Sequence, residues 1–421
     1  MNAKSLDLKL QRIHANPKLS KDFILADAKD PDMALGIAAT GKSPEAHHGE
    51  TKYRSLSEFR DVITQVVEQK LVDIMLMSAS TAEVMAIHKN IFANSPVTPA
   101  ARANDTTDIH ILRGGQSATQ PSLPFRTATL DHIQCGKWIC SPLERQKGVN
   151  LGLYSITFNN DSNLDRNALE EYKKFRIDAE QKGFRHFLEI FDPNRAGAVD
   201  PEQLPGFIND AIVRTLGAVT SKGRPVFLKI VYHGPKAMEE LVHYDPHLVV
   251  GILGGSAGTT YDAFKLLSEA KKYGARAALY GRKINNAEHQ LSFIRYLRLL
   301  ADGQISAEEA VKAYHGDLQK LNIKPQRSFG DDMKITTGVM NYSGSGTTIS
   351  FPQTTSQLKE DDHDCSCKGG PKACPCDAPV AEVKTVTPPA KVEKTTTVDF
   401  SKMTAAEKMA YHQQRWTRIL G

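Results

Sequence analysis

Lys229 stands in the middle of the run VFLKIVY, among aliphatic and aromatic neighbours where a charged side chain is least expected. In a strand, alternation puts Phe227, Lys229 and Val231 on one face and Leu228 and Ile230 on the other. If the lysine face lines the interior of a closed barrel, poor solvation disfavours the ammonium form. The neutral amine is the form that attacks a carbonyl. The iminium that results draws electrons from the adjacent bond, which allows aldol cleavage without a metal. The competing structural reading is a lysine that reaches out from an edge strand or sits in a buried salt bridge.

Two glycine-containing turns follow. In GILGGSAGTTYDAF an apolar strand runs into a helix; Gly254, Gly255 and Gly258 permit close backbone approach, with Ser256 beside them. The N–H groups before Tyr261 sit at a helix N-terminus, a place that favours phosphate. In ALYGRKIN, Gly281 offers backbone and Arg282 a guanidinium able to bind phosphate through two hydrogen bonds. Each turn taken singly is weak, because such turns and strand-end arginines are common. Their order is more specific: barrel enzymes often bind phosphate with the loops after strands seven and eight, and these loops follow directly on the lysine strand.

The elements that must position these residues read as an α/β alternation. Candidate strands are FILADA (23–28), LVDIMLMS (71–78), VTPAARA (97–103), LGLYSITF (151–158), HFLEIF (186–191), RPVFLKIVY (224–232), HLVVGILGG (247–255) and ARAALYG (275–281). Amphipathic helices lie between most of them, and eight strands make a complete (β/α)8 TIM barrel. Ser55 with Glu58, and Ser306 with Glu309, have capping-box spacing. Residues 105–148 interrupt the alternation, with TATLDHIQ and KWIC as the arms of an inserted hairpin. The expected organisation is a barrel over 1–325, a low-complexity, cysteine-containing and disordered linker over 326–398, and a terminal helix over 399–421 opened by Thr404 and Glu407.

The totals bound the function. Of 421 residues, 40% are hydrophobic and 24% charged, the composition of an ordinary globular protein. The formal charge is only +5, with 53 basic residues dispersed among 48 acidic ones, so nucleic acid has no footprint. No run approaches the ~20 apolar residues of a membrane helix, and the charged N-terminus has no signal-peptide core; a cytoplasmic location is expected. Cys135 and Cys140 lie in the body, whereas Cys365, Cys367, Cys374 and Cys376 crowd near the end with His363. A C-x-C pair of pairs can bind zinc or copper, but the spacing departs from a C-x-x-C ribbon.

With the lysine strand and the two glycine turns in place, the chain resembles the class I aldolases of the fructose-bisphosphate and deoxyribose-phosphate aldolase superfamily, in particular the bacterial and archaeal branch. The resemblance covers roughly 20–320 and is strongest over 225–290. It implies a Schiff base on Lys229, phosphate held by Gly254, Gly255, Ser256, Gly281 and Arg282, and no cofactor. It also implies an acidic residue on strand one, matched by Asp27, and acid/base groups on strands four and five, matched by Tyr154 and Glu189. The implied substrate is a sugar phosphate such as fructose 1,6-bisphosphate, cleaved to dihydroxyacetone phosphate in glycolysis, and the expected assembly is a homo-oligomer. The loop from Lys29 to Tyr53, with His47 and His48, and the 105–148 stretch are longer than in compact members, which puts the substrate in question more than the chemistry. A Schiff-base lyase or acyl transferase acting on a sulfo- or deoxy-sugar phosphate, and a non-catalytic barrel with a metal-binding tail, are the alternative readings. A metal-dependent aldolase is disfavoured because histidines do not recur on successive strand ends.

Overall fold

The computed structural model describes residues 3–41, 53–255 and 258–337, together with residues 404, 407 and 410. Eight parallel strands close into a barrel: β1 (Ile24–Lys29), β2 (Ile74–Met77), β3 (Thr98–Arg102), β4 (Leu151–Thr157), β5 (Arg185–Phe191), β6 (Leu228–Ile230), β7 (Val250–Leu253) and β8 (Ala277–Tyr280). Each pairs with its neighbours in sequence, and β8 closes on β1. The protein is a (β/α)8 TIM barrel, and each strand lies within or beside its expected run.

Strand faces sort into two cores, as a barrel requires. Inward residues such as Ile24, Ala26, Ile74, Leu153, Phe187, Phe227 and Leu279 fill the lower barrel. Outward residues such as Leu25, Met75, Ile156, Leu228, Ile252 and Ala278 pack beneath the helices. Helix α1 (Ser5–Ala15) was not read from the sequence, although Leu6, Leu10 and Ile13 recur at helical spacing. Those three side chains join the interior core and plug the N-terminal end of the barrel. Catalytic groups of such barrels gather at the opposite, C-terminal mouth.

Around the barrel run α2 (Leu56–Gln69), α3 (Ser162–Gln181), α4 (Leu204–Gly217), α5 (Pro235–Tyr244), α6 (Thr260–Lys272), α7 (Gln290–Ala301) and α8 (Ala307–Lys320). The Ser55/Glu58 and Ser306/Glu309 boxes form at the starts of α2 and α8. The crossover from β2 to β3 is a short α-turn, Ala79–Ala82, continued as a wider π-turn, Glu83–His88.

Two expectations are corrected. TATLDHIQ and KWIC do not form a hairpin: Leu130–Cys135 is helical, because Thr129 and His132 exchange capping hydrogen bonds, and Cys135 is joined to Cys140 in a disulfide. The paired segments of the insertion are instead Asp105–Thr106 and Pro124–Phe125. The ordered chain also continues past residue 325, since Phe329–Asp332 is a helical turn and Thr336 and Thr337 hydrogen-bond to Asp262. By compactness the chain divides into Met1–Ser350 and Phe351–Gly421. In the second unit Thr404 and Glu407 make the expected capping bonds. Cys365, Cys367, Cys374, Cys376 and His363 lie outside the described residues, as do His47, His48 and most of 326–398.

Candidate active site

Barrel register decides which polar groups meet. Ser155 on β4 is the partner of Glu189 on β5, and Glu189 is the partner of Lys229 on β6. Their outward neighbours Ile156, Leu188 and Leu228 sit in the helix-facing core. The three polar residues therefore share one inward level. Lys229 Nζ forms an ion pair with Glu189 Oε1. The other carboxylate oxygen, Oε2, accepts a hydrogen bond from Ser155 Oγ at 2.7 Å. Thus the buried salt bridge of the competing structural reading exists, and its partner is the carboxylate matched to acid/base work; both readings describe one contact.

Arg102, on the inner face of β3, extends this network. Its Nη1 donates to Ser155 Oγ at 3.1 Å, Nη2 lies 3.7 Å from Glu189 Oε2, and Nε donates to Asp30 Oδ2 at 2.6 Å. Burial works against its charge, but the carboxylates of Asp30 and Glu189 outweigh that and hold the guanidinium above its ordinary range. Asn104 clamps the Ser155 backbone from both sides, accepting from its N–H at 2.7 Å and donating to its carbonyl at 2.8 Å. Removing one member of such a buried charge cluster costs about 3–5 kcal/mol, because the remaining charge loses its partner.

One level below, the rings of Phe187 and Phe227 stack at 4.5 Å and 15°. These apolar rings form a floor within the inner core beneath Lys229 and Glu189. Gly251, in register with Lys229 on β7, presents no side chain to the barrel, and a Cβ there would come within 2.7 Å of Ala277 Cβ.

At the mouth, the Gly254 N–H is used within the barrel, donating to Leu279 at 2.7 Å, and a Cβ on Gly254 would meet the Tyr280 ring at 2.1 Å. Gly254 is thus glycine for packing. Gly255 and Gly258 have φ of +61° and +84°, left-handed conformations that favour glycine. Ser256 lies outside the described residues. Arg282 opens the helical turn after β8; burial pulls its guanidinium down to about 10, and the charge of Glu189 opposes that shift. Lys283 Nζ donates to the Gly258 carbonyl at 2.7 Å, and its own burial lowers it to about 8.

The start of α6 differs from the expected open anion site. The Thr259 N–H donates to Asp262 Oδ2 at 2.7 Å, and the Thr260 N–H to Asp332 Oδ1 at 2.8 Å. Two carboxylates already occupy these donors, one of them supplied by the segment that follows α8.

Two further residues are placed differently from expectation. Tyr154 points outward: its ring lies 4.5 Å from Phe175 and 5.0 Å from Tyr172, and burial pushes its phenol well above the ordinary range. It does not reach the Lys229 cluster, and Ser155 next to it does. Asp27 also faces the helices, being in register with outward Tyr280 and Met75. It pairs with Lys29 Nζ at 3.0 Å in a fully buried contact that includes Gln290 of α7. Burial raises the Asp27 carboxyl and lowers the Lys29 amine. The carboxylate that joins the Lys229 network from this part of the chain is Asp30, directly after β1, through Arg102. Asp30, Arg102, Asn104 and Ser155 were not picked out from the sequence, although Ser155 and Thr157 form a polar every-other-residue pattern in LYSITF.

No family model matches the chain, and no curated protein matches its sequence. Among solved structures, a Schiff-base-forming fructose-1,6-bisphosphate aldolase superimposes with TM-score 0.50 at 16% identity, covering 70% of this chain and 100% of its own. An archaeal fructose-1,6-bisphosphate aldolase with its catalytic lysine bound to a carbinolamine gives 0.51 at 18%, covering 71% and 100%. The fructose-bisphosphate aldolase of Slackia heliotrinireducens gives 0.51 at 12%, covering 75% and 94%. At these identities the likeness is one of fold, and the chain shares the (β/α)8 architecture of these Schiff-base and fructose-bisphosphate aldolases over 70–75% of its length.

Proposed function

We propose that this chain is a class I, metal-independent aldolase acting on a ketose phosphate, with Lys229 as the Schiff-base nucleophile. The observation that carries the reading is the inward Lys229, in contact with Glu189 above an apolar floor at the C-terminal mouth of the barrel. The architecture shared with Schiff-base-forming aldolases supports it. Arg282 and the glycine turns beside it are suited to the substrate phosphate.

The chemistry follows from these groups. Glu189 takes a proton from the Lys229 ammonium, and the freed amine attacks the ketone carbon. Glu189 then returns that proton to the carbinolamine oxygen, which leaves as water and gives the iminium. The bond between the carbon attached to the iminium carbon and the next, hydroxyl-bearing carbon breaks, its electron pair moving toward nitrogen to form an enamine. The hydroxyl on that second carbon loses its proton, and its carbon becomes the aldehyde. Protonation of the enamine carbon restores the iminium, and water releases the ketone product and Lys229. Arg102, Ser155 and Asp30 hold the Glu189 carboxylate in place throughout.

Borohydride added with fructose 1,6-bisphosphate or dihydroxyacetone phosphate is expected to add a reduced adduct to Lys229, read by intact mass and peptide mapping. Lys229→Met is expected to abolish both adduct and turnover. Wild-type turnover in that variant, or an adduct elsewhere, sinks the reading. The same trapping assay run with sulfo- and deoxy-sugar phosphates identifies the preferred ketose.

A further inference from the structure

The aldol reaction handles protons at two places: on nitrogen and oxygen during imine formation, and on the substrate hydroxyl and the enamine carbon during cleavage. Glu189 is in contact with the amine and serves the first. A second pair of groups stands at the mouth, unused by that scheme. His233 Nε2 lies 2.9 Å from Asp192 Oδ1, and both side chains are almost completely buried. Asp192 follows β5 directly, three residues after Glu189, and His233 follows β6, four residues after Lys229. Since Glu189 and Lys229 are register partners, the His233–Asp192 pair bridges the ends of the same two strands one step nearer the mouth. Tyr232 packs in the helix-facing core, and His233 beside it lies past the C-terminal end of β6, buried against Asp192 at the end of β5.

The partner atoms bear on the role. With Nε2 on the carboxylate, the nitrogen left to exchange a proton with a ligand is Nδ1. Asp192 keeps a second oxygen, Oδ2, that is buried without a hydrogen-bond donor among the described residues. A carboxylate behind an imidazole fixes its tautomer and stabilises the imidazolium when the ring takes up a proton.

We propose that His233, oriented by Asp192, is the second proton carrier of the site. In cleavage its Nδ1 accepts the proton of the substrate hydroxyl as the carbon–carbon bond breaks, and the imidazolium gives that proton to the enamine carbon. One proton is taken and one returned, so the ring ends neutral. Lys229 and Glu189 keep the covalent step. Asp192 is a positioning residue, acting through the ring. This assignment rests on the class I aldolase reading, and the test separates the two.

The full-length protein is incubated with dihydroxyacetone phosphate in D2O. Two quantities are read: the borohydride-reduced adduct by mass, and deuterium entering the carbon next to the carbonyl by NMR. For His233→Gln the expected result is an adduct yield within twofold of wild type and exchange slowed at least ~100-fold, the usual contribution of a positioned acid/base. Asp192→Asn is expected to keep the adduct and slow exchange by about tenfold or more. Wild-type exchange in folded His233→Gln overturns the proposal, as does joint loss of adduct and exchange in a variant whose circular dichroism is unchanged. If His233→Gln does not fold, Asp192→Asn decides by the same criteria. Absence of an adduct on wild-type protein removes the aldolase reading and this assignment with it, whereas an adduct on wild type with unaffected variants removes only the assignment.

Discussion

Glu189 and Lys229 face each other as register partners across β5 and β6, and the carboxylate grips the amine with one oxygen while Ser155 holds the other. In the proposed reaction Glu189 is the group that shuttles protons on the amine, and its contacts tie its position to β4 as well as to β6.

Replacing Glu189 by Gln keeps the size and much of the hydrogen bonding but removes the proton acceptor. Adduct formation with dihydroxyacetone phosphate, followed by quenched reduction and mass, is expected to slow by about 10²–10⁴-fold. Ser155→Ala removes one supporting bond and leaves the carboxylate in place, so its effect should stay below about tenfold. Comparable losses in both variants would mean that the cluster acts as a packing unit rather than through the carboxylate.

Arg282 remains charged at neutral pH, since burial brings it only to about 10. Arg282→Met removes a charged donor from the mouth, and a hydrogen bond to a charged group contributes about 1.5–3 kcal/mol. KM for a phosphorylated ketose is therefore expected to rise by roughly 10- to 100-fold, with little change for the dephosphorylated sugar. Steady-state kinetics on the two sugars reads the difference; equal losses on both would detach Arg282 from phosphate recognition.

The frame and the inward, buried lysine were legible in the sequence for physical reasons. Eight short β-branched or aliphatic runs separated by amphipathic stretches admit few other folds, and a lysine amid VFLKIVY conflicts with its strand unless it has a task. What failed was the face of a strand buried on both sides. In FILADA both faces are apolar, so nothing in the run itself told Asp27 from an inward residue, and a shift of one position reverses the face. The signal lay two residues on. Asp27 and Lys29 share a face and pair there, with Ala26 and Ala28 on the other. In LYSITF the small polar residues Ser155 and Thr157 alternate against Tyr154, Ile156 and Phe158, which marks the inner face. Arg102, Asp30 and the Asp192–His233 pair are brought together by barrel closure from segments far apart in the chain. The occupancy of the α6 N-terminus by Asp332 is of the same kind, since that carboxylate comes from 72 positions downstream of Thr260.

On the outer face of β5, His186 supplies a pH test of the scaffold itself. Its Nε2 lies 2.8 Å from the Tyr172 hydroxyl, and burial, aided by the charge of Arg176, lowers the imidazole from 6.5 to about 3. The folded protein therefore holds this ring neutral, while an unfolded chain protonates it near pH 6.5. The stability due to the neutral ring is fully present above about pH 6.5 and is lost as pH falls from there toward about 3, at ~1.4 kcal/mol per pH unit. By pH 5 the loss is roughly 2 kcal/mol. His186→Gln can keep a bond to Tyr172 but cannot titrate. The fall in stability between pH 7 and pH 5, measured by urea unfolding at each pH, is expected to be smaller in the variant by about that amount. An identical fall in both proteins would show that the ring does not carry the acid sensitivity of this wall of the barrel.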